Sequence, residues 1–373
     1  MLGLGLPPAR PGVALDLTGL DRVIDHAARD LTITVEAGIR LSVLAELLAR
    51  ENQWLPIDVP HSERATLGGA LATNASGPRR LAYGTLRDYV IGITVVNEEG
   101  KETRAGGRVV KNVAGYDLCK LHIGALGTLG IITQATLKVR PRPESRAMLA
   151  LGCSPVVLDL LLDLLHGCRT RPVCIESLNA AAARYLAHDL HLDLPETAWV
   201  TLVGFEDHAE TARWQVDHLE SAVTSCVAHR DITRSRLDPE ERIWRALTDF
   251  PLRSDATLSV KANLLPRALP SFRQRLSTLP EPTVLRIHAG NGIVHAHFFG
   301  GLTLDRARTL VEKLRALAAA GQGNVIVTHC PPEWKRSLPV WGVPRDDGWL
   351  MTRIKQQLDP NDVFNPGRFL PPS

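Results

Sequence analysis

No stretch of this chain stays apolar for the run of about 18 residues that a membrane-spanning helix needs. The longest, Val156 to Leu165, is already broken by Asp159 and Asp163, so no transmembrane helix is encoded. Cysteine is sparse: Cys119, Cys153, Cys168, Cys174, Cys226 and Cys330 form no C-x-x-C pair and no Cys/His cluster of zinc or iron–sulfur spacing. Isolated reduced thiols follow, and any iron–sulfur relay belongs to another chain. An excess of charge is missing too, since 43 basic and 40 acidic residues leave only +3. That balance carries no polyanion signature and speaks against nucleic acid. The opening MLGLGLPPARPG has no basic start and no adequate apolar stretch before Pro7 and Pro8, which argues against a secretory signal and makes the cytoplasm the expected location. Internal repeats and low-complexity tracts are absent as well.

What is present suits a globular protein: 373 residues, 45% hydrophobic and 22% charged, too long for one ordinary core and enough for two domains. Up to Pro143 the chain is rich in glycine and in extended segments. Thr32 to Glu36 alternates as a strand, and Leu41, Leu44, Leu47 and Leu48 then give a helical apolar face. Tyr89 to Asn97 and Glu102 to Ala105 flank a turn and read as a hairpin, while alternation from Ile131 to Arg140 marks a long strand with one wet face. Beyond Pro141 and Pro143 helices alternate with strands, from a helix at Pro155 to His166 to a last one at Trp349 to Leu358, a texture of βαβ units on an antiparallel sheet.

Three glycine-bearing segments lie close together in the first part. In the first, Thr66-Leu-Gly68-Gly69-Ala runs on to Asn74-Ala-Ser76-Gly77. Its glycines permit a tight turn whose amides suit an anionic phosphate or a flavin edge, and equally a plain helix N-terminus capped by Thr66. The second, from Gly106 to Leu118, gathers Lys111, Asn112, Tyr116 and Asp117; it reads either as an ammonium placed to stabilise a reduced flavin or as a surface loop capped by Asp117. The third, Gly124-Ala-Leu-Gly127-Thr128-Leu-Gly130-Ile-Ile132, leads into the long strand, and its glycines allow a pyrophosphate to approach the backbone. It is not G-x-G-x-x-G after a strand, so a nicotinamide-binding Rossmann fold is disfavoured.

Taken in order, ATLGGALATNASGPRRLAYGTLRDYVIG, GGRVVKNVAGYDLCKL and GALGTLGIITQATLKVRPRP resemble the FAD-binding domain of the vanillyl-alcohol oxidase (PCMH-type) flavoproteins, and within that family the FAD-binding E subunits of bacterial glycolate oxidases. The tail around Asp359, Phe364, Asn365, Pro366 and Gly367 is similar to the family's closing motif. The resemblance implies an α+β protein: a PCMH-type FAD-binding domain over residues 1–143, a ferredoxin-like cap domain over 144–345, and a helix and tail over 346–373 that return to the first domain. It implies that Thr66, Gly68, Gly69, Asn74, Ser76 and Gly77 hold the flavin and pyrophosphate, that Lys111, Tyr116 and Asp117 line the flavin side, that Gly127, Thr128, Gly130 and Ile132 hold pyrophosphate and adenine, and that Asn365 reaches the flavin. Family members begin with a further strand, helix and Gly-rich loop, of which this chain has only the end, at Gly3 and Gly5. The histidine that tethers flavin covalently in some relatives sits on that loop, so the FAD expected here is noncovalent.

In the second domain, Arg286-Ile-His288-Ala-Gly290-Asn291-Gly292-Ile293-Val-His295 resembles the H-x-G-D-G-N-x-H segment of D-2-hydroxyacid dehydrogenases, where the histidines serve a metal. Asn291 and Ile293 replace the Asp and Asn of that segment, and no Glu-His-Gly follows, so the site reads as degraded and no metal is assigned; His288 and His295 stay open between a structural role on adjacent strands and ligation. The function implied is an FAD subunit that passes electrons from a small 2-hydroxy acid to a partner iron–sulfur subunit, beside a paralogous FAD-binding catalytic subunit, with Lys111, His288 and Asn365 as catalytic candidates. Peripheral attachment to the inner face of the cell membrane would come through those partners. A self-sufficient D-2-hydroxyacid dehydrogenase and a non-catalytic scaffold that has lost FAD are the alternatives.

Overall fold

The computed structural model describes residues 3–107, 116–225, 232–238, 241–252, 255–342 and 346–369. They gather into two compact units. The first takes the chain up to Gly77, Gly84–Arg142 and the tail from residue 346; the second takes Pro78–Tyr83 and the chain from Pro143 to residue 342.

Unit 1 is built on a five-stranded antiparallel sheet of order β1-β2-β6-β4-β5, from β1 (Val23–Ala27), β2 (Thr32–Glu36), β4 (Val90–Val96), β5 (Glu102–Gly106) and β6 (Ile131–Lys138). Two short strands, β3 (Gln53–Trp54) and β7 (Arg140–Pro141), pair separately, so the long strand read to Arg140 divides after Lys138. The hairpin is present, with β4 and β5 joined through the turn at Glu98 to Lys101. Ile33, Val35, Ile93, Val95, Ala135 and Leu137 point from three strands into one core, completed by Leu41, Leu44 and Leu48 of α1 (Leu41–Ala49) and by Leu67 and Leu71 of α2 (Leu67–Thr73). The strand alternation and the helical apolar stripe thus meet as the sequence requires.

The short helix α3 (Arg80–Tyr83) belongs to unit 2. Its anchor is the preceding Arg79, whose Nε donates to the fully buried Glu206 carboxylate at 2.9 Å and whose guanidinium lies 4.0 Å from the Trp244 ring. After α4 (Cys119–His122) in unit 1, the chain enters an eight-stranded antiparallel sheet of order β11-β8-β10-β9-β13-β14-β12-β15. The first half comprises β8 (Ser145–Cys153), α5 (Pro155–Gly167), β9 (Cys174–Asn179), α6 (Ala180–Leu190), β10 (Trp199–Asp207), α7 (Ala209–Ser225), β11 (Thr233–Leu237) and α8 (Glu241–Asp249). The second comprises β12 (Leu258–Asn263), α9 (Leu269–Ser277), β13 (Thr283–His288), β14 (Ile293–Phe298), α10 (Leu304–Ala320) and β15 (Asn324–His329). Numbered within each half, both run in the order 4-1-3-2, so two ferredoxin-like modules share one sheet and join through β9 and β13. A structural repeat therefore exists where no sequence repeat is visible. The last helix, α11 (Gly348–Leu358), returns to unit 1.

One sheet face of the first module is closed by apolar side chains of α6 and α8: Ala182, Leu186, Trp244 and Leu247 pack on Met148, Ala150, Leu178 and Leu202. Gly204 makes this possible, because a Cβ there would lie 2.6 Å from Trp244 Cη2 and 2.8 Å from Cys174 Sγ. Gly204→Ala is therefore expected to destabilise unit 2 by about 1–3 kcal/mol through overpacking. Gly301→Ala, where a Cβ meets nothing within 4 Å, should stay within about 0.5 kcal/mol of wild type. Urea unfolding followed by Trp fluorescence checks the pair; equal midpoints would contradict this packing.

Candidate functional site

In unit 1 the first glycine segment forms the start of α2. Thr66 Oγ1 accepts from Gly69 N–H at 3.2 Å, while Leu67 N–H donates to the Ile39 carbonyl and Gly68 N–H to that of Ala37, at 2.9 and 2.6 Å. The capped N-terminus is thus formed, and these amides already have protein acceptors. A Cβ at Gly68 would stand 3.0 Å from both Ala37 Cβ and its carbonyl oxygen, so the glycine lets two backbones touch rather than freeing donors for a phosphate. Gly77 has a similar office: its Cβ would lie 2.6 Å from that of Asp58. Ser76 lies between, partly buried.

Helix α2 ends on Asn74 in the left-handed region, at φ 47°. The third glycine segment is fastened there, Gly124 N–H donating to the Leu71 carbonyl at 2.9 Å and Leu126 N–H to that of Ala72 at 2.8 Å. The loop turns through positive φ at Gly124, Leu126, Gly127 and Gly130, and a Cβ at Gly130 would meet Val95 Cγ1 at 2.5 Å. Thr128 is buried, its hydroxyl donating to the Ala125 carbonyl at 2.6 Å. Ile132 lies in β6 opposite Val95, with its side chain in the core.

The tail closes this loop. Asn365 Nδ2 donates to the carbonyls of Leu126 and Gly127 at 2.9 and 3.2 Å. Lys355 of α11 donates to the Thr128 carbonyl at 2.9 Å, to the Phe364 carbonyl at 3.0 Å and to the buried Asp359 carboxylate, and lies 3.0 Å from Asp362 Oδ1. Asp359 in turn accepts from the amides of Val363 and Phe364 at 2.8 and 2.9 Å. The N-terminal residues run alongside: Ala9 N–H donates to the Pro366 carbonyl at 2.8 Å and Leu6 N–H to that of Arg368 at 3.2 Å.

Two polar groups in this assembly await a partner. Asn74 Oδ1 is buried with no hydrogen bond, and among the described residues the Gly127 amide has no acceptor. Such groups are costly unless a ligand completes them. An acceptor and a donor, set beside a loop where side chains are excluded, fit a group such as FAD that carries both hydroxyl or ring N–H donors and phosphate oxygens. Asn74, Gly127, Thr128, Gly130 and Asn365 are brought together, whereas Tyr116 is 95% exposed and Asp117 lies 3.9 Å from Lys120 Nζ on the surface. Lys111 lies outside the described residues. Lys355 was not foreseen from the sequence, although its spacing of four from Asp359 on a helix is the available signal. Lys355→Met, which leaves the Asp359 carboxylate buried without its cation, should lower both the retained flavin and the urea midpoint of unit 1; flavin content and stability equal to wild type would show that the joint is dispensable.

Unit 2 carries a second polar cluster, on the face of its sheet where the two modules join. Glu176 of β9 stands opposite His288 of β13; Arg286 of β13 stands opposite His295 of β14, and His295 opposite Lys261 of β12. Facing pairs across antiparallel strands share a side, so all five point the same way. His288 Nε2 lies 2.6 Å from Arg286 Nη2 and its Nδ1 2.5 Å from Glu176 Oε1. A guanidinium only donates, so Nε2 accepts and Nδ1 carries the proton given to Glu176. Arg286 Nε lies 3.1 Å from Glu176 Oε2, and the guanidinium also donates to the Leu247 carbonyl. Burial, with Arg286 nearby, holds the His288 and His295 imidazoles well below their usual pKa and hence neutral; burial pushes the Glu176 carboxyl up while Arg286 pulls it back. With both ring nitrogens engaged, His288 orders Arg286 and Glu176 rather than offering a free base. Glu176 and Lys261 were missed by sequence reading, because a polar residue alternating with apolar ones reads as solvent-facing. Among the described residues no group of three His, Cys, Asp or Glu could hold a metal ion, and no helix is long and apolar enough to cross a membrane.

Residues 2–106 match the FAD binding domain model, and residues 157–369 match that of the C-terminal domain of FAD linked oxidases. The chain is 41% identical to the glycolate oxidase subunit GlcE of Escherichia coli K12, over 96% of this chain and 87% of that protein. It is 40% identical to a D-lactate dehydrogenase of Anaerostipes hadrus, over 96% of this chain and 80% of that one. A solved structure of alkyldihydroxyacetonephosphate synthase, 17% identical, superposes with a TM-score of 0.64 over 94% of this chain and 67% of the other, a likeness of fold.

Proposed function

The chain belongs to the FAD-linked oxidases, with FAD as cofactor, and from that premise we propose that it is the FAD-binding subunit of a multisubunit complex of glycolate oxidase type, passing electrons from a small 2-hydroxy acid to an iron–sulfur partner. The observation that carries the cofactor half of this reading is the joint of Asn365 and Lys355 on the Gly124–Gly130 loop, with Asn74 Oδ1 left to be completed. FAD, when bound, supplies a two-electron acceptor. The chain's own part is to bind and orient it. Asn74 and the Gly127 amide would hold it, Thr128 and Gly130 would shape the loop around it, and Asn365 would fix that loop from the tail. Thr66, Gly68, Gly69, Ser76 and Gly77 would serve by close backbone approach. Lys111, Tyr116, Asp117 and Ile132 are assigned to the cofactor by resemblance alone. No covalent tether is proposed.

The need for partners follows from the cysteines. The five described ones form no disulfide, and none lies in a cluster spacing that could carry electrons away. An iron–sulfur subunit would therefore take them, beside a paralogous flavin subunit, and any attachment to a membrane would come through those chains. The similarity to the Anaerostipes D-lactate dehydrogenase favours a second reading, a self-sufficient D-2-hydroxyacid dehydrogenase. Purified alone and reconstituted with FAD, the chain should retain flavin yet turn over glycolate and D-lactate poorly with a dye acceptor. Co-expression with the two partner subunits should restore turnover. Full activity from the isolated chain would establish the second reading instead, and a chain that retains no flavin would contradict both.

A further inference from the structure

The histidine segment of unit 2 resembles one that holds a metal, but its donors do not fit one. His288 Nε2 is taken by Arg286 at 2.6 Å and Nδ1 by Glu176 at 2.5 Å. A fixed cation at the ligating nitrogen opposes a second cation there. The neighbouring turn supplies Asn291 in place of a carboxylate, and the buried Ile293, opposite His288 in the sheet, offers no donor atom.

The same row holds a charge that the protein leaves unanswered. Lys261 is half-buried on β12, two strands from Arg286, and among the described residues its ammonium makes no hydrogen bond and no ion pair. Its charged neighbours are Arg80 and Arg286, both cations. Across the row the remaining groups are His288 and His295, both neutral, and His297, whose Nδ1 shares a hydrogen bond with Ser259 Oγ at 2.8 Å. Among the described residues of the row the carboxylate is Glu176, with one oxygen 2.5 Å from His288 Nδ1 and the other 3.1 Å from Arg286 Nε. Burial first, then the two arginines, bring the Lys261 pKa down to about 8. A lysine so placed gains from any anion that reaches it. The equivalent positions of the first module, Ala150 and Leu202, are apolar and sit under α6 and α8, so the charge is a departure from the fold's own pattern rather than a requirement of it.

We propose that unit 2 binds a small carboxylate without a metal, on the Lys261 ammonium, with the buried Arg286 guanidinium occupying the His288 nitrogen that a divalent ion would need. The choice of a carboxylate over another oxyanion rests on the 2-hydroxyacid reading above. Lys261 is the group that meets the ligand, and Arg286 and His288 are positioning residues that keep the row cationic and metal-free.

The test is calorimetric titration of the full-length protein with glycolate, acetate and inorganic phosphate at matched ionic strength, with EDTA and then with added Mn²⁺, while flavin content is read from absorbance on the same samples. Saturable binding of glycolate and acetate, unchanged by EDTA, is expected. Lys261→Met should weaken it by about tenfold or more, and Lys261→Arg should retain most of it, both with wild-type circular dichroism and flavin content. The proposal is overturned if wild type shows no saturable carboxylate binding, if Lys261→Met binds as well as wild type, if binding requires Mn²⁺, or if phosphate is preferred. Carboxylate binding by a protein that retains no flavin would leave this site standing and overturn the function above; flavin without carboxylate binding would do the reverse.

Discussion

A single ammonium group organises the cofactor half of the molecule. Lys355 gathers oxygens from the Gly124–Gly130 loop, from the tail and from its own helix, and the carboxylate that answers it, Asp359, is buried. A buried pair of this kind is a poor source of net stability but a strict one of geometry, since each partner is costly to leave alone. Loop and tail are more than 200 residues apart in sequence, yet neither can satisfy its charges or carbonyls without the other. The positive φ values of the loop and the left-handed Asn365 are held in place by that mutual requirement. The two incomplete groups, Asn74 Oδ1 and the Gly127 amide, belong to the segments that this closure ties together.

Unit 2 solves a different problem. Two modules of the same strand order share a sheet, and each has an inner face to cover. In the first, the apolar row Ala150 and Leu202 is covered by Leu186 and Trp244. In the second, the corresponding row is Lys261, His295 and Arg286, and burying it demands that every donor find an acceptor. Glu176, reaching across from the first module, answers Arg286 and fixes the tautomer of His288. Lys261 is what that arrangement leaves over.

Where local pattern decides structure, the sequence was readable. Thr32–Glu36, the hairpin of Val90–Val96 with Glu102–Gly106 and the helix that starts at Pro155 follow from alternation, turn chemistry or helical period alone. Strand β8 was not foreseen, because Ser145–Cys153 carries Ala, Met and Leu rather than β-branched residues and becomes a strand only between β10 and β11. Helices α6 and α8 and strand β15 were likewise unread, and with them the twofold module pattern, which lives in strand order. The candidate site shows the same division. The glycine segments announced themselves by composition, but the amides of Gly68 and Gly69 proved to be already bonded, since whether a donor is free depends on Ala37 and Thr66 across space. Lys355, Glu176 and Lys261 are single charged residues in ordinary surroundings of sequence, and only packing sets them apart.

The most direct test of the loop and tail as one structure is amide hydrogen exchange with and without FAD. Leu126 and Thr128 in the loop, and Asp359, Val363 and Phe364 in the tail, donate amides to defined acceptors and report opening of each segment. One shared opening free energy for both segments, rising together when FAD is added, is the result expected of a single closure. A tail that exchanges on its own, with lower protection than the loop and no response to FAD, would contradict it.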